Sequence, residues 1–376
     1  MTARRTPLSA RRTPLFARRT LATALILTAA LIGPAVAKAQ GAIEGVPRYA
    51  HVVVIIEENK DYGQIMDPAI APNIAELART YGLATQFFGE VHPSEGNYVA
   101  LLGGDTFGIH DDDAVICKAG SVDPTCPGAG RAGYPDHTVT QPHLGDQLAA
   151  AGMTWKGYYE DLPAPGAMAY TSDPHPENAA HPLAYYAQKH SGFLTFASAQ
   201  NDPDRAKHIV GFDQLTADLA KEALPSFALI VPNQCNEMHG LHGAGTPADC
   251  DILHTGALIK RGDAEIVGLV DRLQATAAWK SKDNMAIVIT FDEGSPGSRL
   301  GCCAVTPDAP SNFGGGHIPT LVITNHGPRG VADATQYNHY SLLRTFEDAF
   351  GLTTHLRHAN DAALGVKAMT PLFKTP

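Results

Sequence analysis

The chain has 376 residues, a formal net charge of -10 at pH 7 and only 18% charged residues. This composition provides no basic stripe for a polyanion, so it argues against nucleic acid as a dedicated partner. The length is sufficient for one large α/β domain or two small ones, and we favour one.

Residues 1–39 have the pattern of a secretory signal peptide. Pairs of arginines precede an apolar run at 21–37 that ends in small residues. That run is shorter than the roughly 20 residues that a membrane span requires. We therefore predict cleavage after Ala37 or Ala39, a single mature domain at 40–376, and a periplasmic or secreted protein without stable membrane insertion. An uncleaved anchor is the alternative, and the export route, general secretory or twin-arginine, stays open.

Apolar runs and amphipathic stretches alternate along the rest of the chain. Two β-branched runs that end abruptly in acids predict buried parallel strands at 51–56 and 285–291. Similar runs predict further strands at 153–159, 227–231 and 320–324. Helical spacing predicts helices at 73–81, 143–151, 214–223, 257–279 and 341–350. This alternation predicts a doubly wound α/β sandwich, with one mostly parallel sheet and helices on both faces. Segments rich in glycine and proline predict long loops at 107–142, 161–182 and 294–316.

Six cysteines in an exported chain favour disulfide bonds. The pairs closest in sequence are Cys117 with Cys126, Cys235 with Cys250, and Cys302 with Cys303. The last two are adjacent, and they could bridge each other or pair elsewhere. The chain has no Cys-x-x-Cys unit, which disfavours a structural zinc site and a thioredoxin-like redox role.

Acidic residues follow the two strongest predicted strands. The first strand leads into Glu57, Glu58 and Asn59, and the other leads into Asp292 and Glu293. In proteins with an open parallel sheet, bound molecules and ions lie beyond the carboxyl ends of the strands. Oxygen ligands that converge there suit a divalent cation, which offsets their mutual repulsion. Either group by itself is more typical of solvated acids after a buried strand, but both together favour a metal site.

Ser94 lies just before the apolar stretch at 99–102 and could cap a short helix. A helix start offers free backbone N–H groups and the positive end of the helix dipole, which favour a bound phosphate and a developing alkoxide. A serine hydroxyl is a weak nucleophile until a base or metal activates it, and the predicted cation would do so. A helix cap without catalytic function is the alternative.

Three of the 17 histidines, His239, His317 and His339, stand beside predicted strand ends or a helix start. In such places a phosphate oxygen or a leaving group could accept their protons. The chain lacks both a Gly-x-Ser-x-Gly elbow and a Gly-x-x-x-x-Gly-Lys phosphate loop, which argues against an esterase of the elbow type and against a nucleotide-triphosphate switch.

With these residues in view, the chain resembles the bacterial phosphoesterase family that unites acid phosphatases with phosphatidylcholine-type phospholipases C. Six motifs in order carry the resemblance: HVVVIIEENKDY, HPSEGNYVALLGGDTFGI, WKGYYEDLP, VPNQCNEMHG, VITFDEG and YNHYSLLRTFEDAFGL. The resemblance implies an alkaline-phosphatase-like catalytic domain, a three-layer α/β/α sandwich with a mostly parallel central sheet.

The resemblance also implies the roles of the site residues. It places one metal ion on Glu58, Asn59, Asp292 and Glu293. Ser94 matches the family's nucleophile, and His239 and His339 match histidines of the phosphate pocket, with weaker support for His317. The late acidic pair is Asp-Glu here, whereas some relatives carry Asp-Asp.

We therefore predict an exported, metal-dependent phosphatase that acts on small phosphomonoesters through a phosphoserine. The stretch after Gly294 lacks the Tyr-Asp-His-Val sequence of phospholipase-like members, which favours the phosphatase branch. The alternatives are a phospholipase C acting on diesters and a catalytically dead exported metal-binding protein. The predicted ligands suit calcium, magnesium, manganese or zinc.

Overall fold

The computed structural model describes residues 42–112, 136–172, 184–304 and 313–375. The chain divides into a unit of residues 1–39 and a unit of residues 40–376. The predicted signal peptide and the predicted pair of Cys117 with Cys126 lie outside the described residues. Within the described ranges, no helix is long and apolar enough to cross a membrane.

A single eight-stranded sheet is the centre of the described fold. Its strands are β1 (His51–Glu57), β2 (Gly82–Phe88), β3 (Trp155–Tyr159), β4 (Ile209–Val210), β5 (Phe227–Val231), β6 (Met285–Phe291), β7 (His317–Thr324) and β8 (Val331–Asn338). Their order across the sheet is β4-β3-β5-β1-β6-β7-β2-β8. Neighbouring strands pair in parallel except at β7, which is antiparallel to both β6 and β2. The predicted mostly parallel sheet is confirmed.

The strands with the most apolar sequences lie in the middle of the sheet. Every residue of β5 and β6 is buried, and β1 is buried from its second residue onward. Central strands of an α/β sheet are covered on both faces, which explains why these sequences are continuously apolar rather than alternating. Burial of each Val or Ile side chain contributes about 1.5–3 kcal/mol.

The helices complete the three-layer α/β/α sandwich that the sequence predicts. They are α1 (Tyr62–Ile65), α2 (Pro72–Thr80), α3 (Glu95–Gly103), α4 (Leu144–Ala150), α5 (Ala197–Gln200), α6 (Arg205–His208), α7 (Phe212–Ala220), α8 (Thr255–Gln274), α9 (Ala277–Lys280), α10 (His339–Phe350) and α11 (Thr370–Phe373). Helix α2 packs on α8, and α3 packs on α10. The helix predicted at 257–279 is two helices, because Thr276 leaves the helical path and its side chain caps α9 by accepting from Trp279 N.

Candidate active site

The carboxyl ends of β1 and β6 hold the candidate site. These strands pair in register up to Glu57 and Phe291, so the residues that follow leave the sheet at the same level. The backbone N–H of Asn59 donates to Asp292 Oδ1 at 3.0 Å, and the backbone N–H of Asp292 donates to Glu57 O at 2.9 Å. The structure therefore brings the two acidic strand ends into direct contact.

The hydroxyl of Ser94 points at this acidic edge. Ser94 is buried at the start of α3, but its side chain makes no capping hydrogen bond to the helix. Instead, Ser94 Oγ donates to Glu58 Oε2 at 3.0 Å. The capping role that the sequence left open is not observed, and the hydroxyl is held beside a carboxylate that can accept its proton.

Glu58 is the centre of the hydrogen-bonded cluster. Its Oε1 accepts from Tyr98 OH at 2.7 Å, and its Oε2 accepts from Asn59 Nδ2 at 2.8 Å. The ring of His190 lies on the other side, with Nε2 at 3.2 Å from Glu58 Oε1 and Nδ1 at 2.6 Å from Glu237 Oε1. Glu237 thus fixes the orientation of the His190 ring relative to Glu58.

His239 lies in the same cluster as a neutral ring. Burial lowers the pKa of His239 to about 4, and the charge of Lys189 adds to this effect. His239 Nδ1 lies 2.7 Å from Gly240 O, which makes Nδ1 the protonated nitrogen. The lone pair on Nε2 then faces Lys189 Nζ at 3.4 Å. In this tautomer Nε2 accepts hydrogen bonds or binds a metal, and the catalytic role of His239 stays a prediction.

Lys189 supplies the positive charge of the cavity. Burial opposes its charge, but Asp112 and Glu58 outweigh burial, so the pKa of Lys189 is raised. Its Nζ lies 2.7 Å from Asp112 Oδ2. Lys60 also lines the cavity, and its Nζ donates to Met238 O at 2.7 Å, which ties the end of β1 to the loop of His239.

His317 and His339 lie elsewhere. His339 is fully buried, with Nδ1 at 2.5 Å from Glu90 Oε2 and Nε2 at 2.9 Å from Phe291 O. His317 Nε2 lies 2.9 Å from Thr85 O, and its ring stacks on Tyr62 at 4.6 Å between centroids. Neither ring lines the cavity that contains Ser94. Their catalytic roles stay predictions, and the contacts of His339 support the strand end that carries Asp292.

Glu293 lines the cavity but turns toward a histidine. His92 Nδ1 lies 2.7 Å from Glu293 Oε2, and His92 Nε2 lies 2.8 Å from Ser298 O. Burial raises the pKa of Glu293 to about 10, with a further contribution from the neighbouring Asp292. Of the two late acids, Asp292 is therefore the one in contact with the end of β1.

The site concentrates buried acids whose charges Lys60 and Lys189 compensate only in part. Burial raises the pKa of Asp292 to about 6 and the pKa values of Glu58 and Glu237 well above their usual range, and Asp292 raises those of the two glutamates further. Buried charges are costly unless a partner of opposite sign is present. A bound cation would be such a partner.

Two orphaned atoms test whether a cation fits these residues. Asp292 Oδ2 and His190 Nε2 are buried and have no hydrogen-bond partner among the described residues. Burial lowers the pKa of His190 well below its usual range, so the ring is neutral, and with its proton on Nδ1, which faces Glu237 Oε1, its Nε2 is an acceptor. Possible ligand atoms of Glu58, His190 and His239 all lie within 4.8 Å of one another. The carboxylate and imidazole donors of this group fit a divalent cation. Of the acids predicted as ligands, the group contains Glu58 and neither Asp292 nor Glu293.

A cavity of about 490 Å³ opens above this cluster. Its polar lining includes Asn59, Ser94, Lys189, His239 and Glu293. This volume lies in the range of small-molecule sites. Another cavity of about 520 Å³, lined by residues such as Asp105, Phe107, His137 and Arg357, contains none of the predicted site residues. The cavity of about 490 Å³, rather than the larger one, is therefore the candidate substrate site.

Sequence reasoning missed Lys189, His190 and Glu237. Lys189 and His190 lie in a short 3-10 helix, Gln188–His190, so no strand end or longer helix pattern marks them. Glu237 stands two residues before His239 in the VPNQCNEMHG motif, and this proximity was the one available signal.

The buried acids predict how stability depends on pH when metal is absent. Burial raises the pKa of Asp292 to about 6, of Glu95 to about 7 and of Glu347 to about 8, against about 4 in an unfolded chain. Between about pH 4 and these raised pKa values, the folded state binds more protons than the unfolded state. The free energy of unfolding therefore falls as pH rises through this interval. We expect the melting temperature of chelator-treated protein to fall steadily from pH 5 to pH 8. A melting temperature that rises over this interval would contradict the burial of these acids.

The fold resembles that of proteins in the alkaline phosphatase superfamily. A protein in the alkaline phosphatase superfamily from Vibrio parahaemolyticus superimposes with a TM-score of 0.51, covering 84% of this chain and 69% of that chain at 15% sequence identity. At this identity the similarity establishes the fold.

The model of the Phosphoesterase family matches residues 64–353, and the chain belongs to this family. The phosphatidylinositol-3-phosphatase of Mycobacterium tuberculosis is 30% identical over 311 residues, which cover 83% of this chain and 80% of that protein. The protein is therefore a phosphoric ester hydrolase. The predicted family is confirmed.

Two fungal relatives are acid phosphatases. The phosphate-repressible acid phosphatase of Penicillium chrysogenum is 27% identical over 297 residues, and the acid phosphatase of Aspergillus fumigatus is 28% identical over 295 residues. Each alignment covers 78% of this chain, and the chain spans 57% and 53% of the lengths of these two relatives.

Proposed function

We propose that the protein is a metal-dependent phosphatase that hydrolyses small phosphomonoesters through a phosphoserine at Ser94. The position of Ser94 Oγ carries this proposal. The hydroxyl is buried in the cavity, makes no capping bond and donates to Glu58 Oε2 at 3.0 Å. A serine that served only the helix would direct its hydroxyl to the N–H groups of α3.

In the first step, Ser94 Oγ forms the bond to phosphorus. Its proton passes to Glu58 Oε2, which already accepts its hydrogen bond. The bond from phosphorus to the alcohol oxygen breaks on the opposite side, and the departing oxygen takes a proton from solvent. The ammonium of Lys189 offers N–H groups to the phosphate oxygens, where negative charge accumulates.

In the second step, water attacks the phosphorus of the phosphoserine. The bond from phosphorus to Ser94 Oγ breaks, and Glu58 returns its proton to that oxygen. The protons of the attacking water leave with inorganic phosphate. Tyr98 OH and Asn59 Nδ2 hold Glu58 in place through both steps, since each donates to one of its two oxygens.

We propose that Glu58, Asn59 and Asp292 hold one divalent metal ion, with Glu293 as the fourth predicted ligand. His190 and His239 extend the donor set, since possible ligand atoms of these histidines and of Glu58 lie within 4.8 Å of one another. Calcium, magnesium, manganese and zinc all remain compatible with these donors. When bound, the ion supplies Lewis acidity that lowers the cost of the serine alkoxide.

Comparison of a monoester with a diester tests the proposal and separates it from a phospholipase C activity. We expect metal-supplied protein to hydrolyse a phosphomonoester with a kcat/KM at least roughly tenfold above that of the diester of the same alcohol. The reason is that a monoester dianion gains more from Lys189 and the cation than a diester monoanion does. A diester that reacts faster than the monoester would favour the phospholipase alternative.

We also propose that residues 40–376 form one exported domain, located in the periplasm or outside the cell. Cys235 and Cys250 form a disulfide bond, and Cys302 is bonded to Cys303, so the vicinal pairing left open by the sequence is the one in the structure. Disulfides persist mainly in oxidising compartments, which supports export.

A further inference from the structure

One wall of the Ser94 cavity is apolar and exposed. Ile252 is 44% exposed and Leu253 is 70% exposed, and both line the cavity together with Leu258. In the described part of the chain, only four large apolar residues are classed as exposed, and two of them are these neighbours. Single apolar side chains on a surface are ordinary, but adjacent ones at the mouth of a reactive cavity indicate a ligand that covers them.

The backbone beneath this apolar wall is fixed. The Cys235–Cys250 disulfide closes the loop that precedes it. Leu241 N donates to Cys250 O at 2.8 Å, and Ile252 N donates to Leu241 O at 3.0 Å. Asp251 Oδ1 accepts from Leu253 N at 3.0 Å. Because these bonds hold the segment at both sides, the apolar side chains keep their place at the cavity mouth.

The apolar wall adjoins the segment that carries His239. A Cβ atom added to Gly240 would lie 2.7 Å from Ile252 Cγ2 and 2.7 Å from Leu258 Cδ2. These two side chains therefore pack against the backbone that follows His239. A phosphoester whose phosphorus lies at Ser94 must extend its alcohol part through the cavity mouth, past this wall.

We propose that Ile252 and Leu253, which the buried Leu258 supports, bind the alcohol part of the substrate, and that the preferred substrates are phosphomonoesters of apolar alcohols. The inference rests on the proposed function, because it takes the phosphate to lie at Ser94. Sugar phosphates would place hydroxyl groups against the side chains of Ile252 and Leu253, which offer no hydrogen-bond partner, and Thr255 is the polar side chain that this segment contributes to the cavity.

Short alkyl phosphates test this inference, because their leaving groups differ in apolar length and hardly in acidity. We expect kcat/KM for hexyl phosphate to exceed that for ethyl phosphate by roughly tenfold or more, since each buried CH2 group favours binding several-fold. Leu253→Ser should reduce this ratio at least about threefold by removing part of the apolar wall. The matched control is Leu364→Ser, because Leu364 is 45% exposed and does not line the cavity.

Phosphate release and the oligomeric state are measured on the same samples. Equal kcat/KM values for ethyl and hexyl phosphate in the wild type would overturn the inference and leave the phosphatase proposal standing. A Leu253→Ser protein that keeps the wild-type ratio of the two kcat/KM values would also overturn the inference. If this variant keeps the ratio but dissociates from an oligomer, the apolar wall is a contact between copies of the chain. Release of phosphate from neither ester, nor from an activated aryl phosphate, would instead contradict the proposed function.

Discussion

Replacement of Ser94 by alanine is expected to lower kcat/KM for a phosphomonoester by at least about 10³-fold, because loss of a nucleophile removes the covalent route. The stability cost should be small. Ser94 caps no helix, so the substitution removes one side-chain hydrogen bond, worth about 1 kcal/mol. The measurements are phosphate release, metal content and thermal melting on one preparation.

Ser198→Ala is the matched control for this experiment. Ser198 Oγ donates to Asp146 Oδ2 at 3.0 Å, so it makes the same kind of bond at the same length as Ser94 does with Glu58. Ser198 does not line the Ser94 cavity. We expect Ser198→Ala to retain wild-type activity. A folded, metal-loaded Ser94→Ala protein with similar activity would mean that water attacks phosphorus directly.

The second large effect is expected for Asp292→Asn, which should weaken metal binding by at least about 100-fold, with activity lost in parallel. An amide keeps the volume and can still accept from Asn59 N, but it carries no negative charge. Because the change also removes one charge from a cluster of buried acids, the metal-free variant should be no less stable than the wild type. Metal titration and thermal melting in chelator measure the two effects.

Glu293→Gln is the comparison for Asp292→Asn. Glu293 faces His92, whereas Asp292 contacts the end of β1. We therefore expect Glu293→Gln to reduce metal affinity less than Asp292→Asn does. The assignment of Asp292 fails if Asp292→Asn binds metal with wild-type stoichiometry and affinity.

The central sheet could be predicted because its middle strands are buried on both faces. Continuous apolar runs marked β1, β5 and β6, but not β2 or β8. The segment of β2 contains glycine and polar residues, and β8 is an edge strand whose residues alternate between partly buried and exposed until its buried end. Neither has the apolar run that identified the central strands.

The site could be predicted only where sheet topology dictates it. Glu58 and Asp292 meet because adjacent parallel strands end at one level. The direction in which a histidine ring points could not be predicted in this way, because it depends on contacts with other parts of the chain. His339 is the first residue of α10, two residues before the predicted start of that helix, and its ring contacts Glu90 and Phe291 O. His190 was missed because its position relative to Glu58 depends on Glu237, a residue distant in sequence.

The stereochemical course at phosphorus tests the phosphoserine most directly. A phosphomonoester made chiral with oxygen isotopes is hydrolysed in isotopically labelled water, and the configuration of the product phosphate is determined. Attack by Ser94 followed by attack of water inverts phosphorus twice, so our proposal predicts net retention of configuration. Net inversion would mean a single direct attack by water and would contradict the proposal.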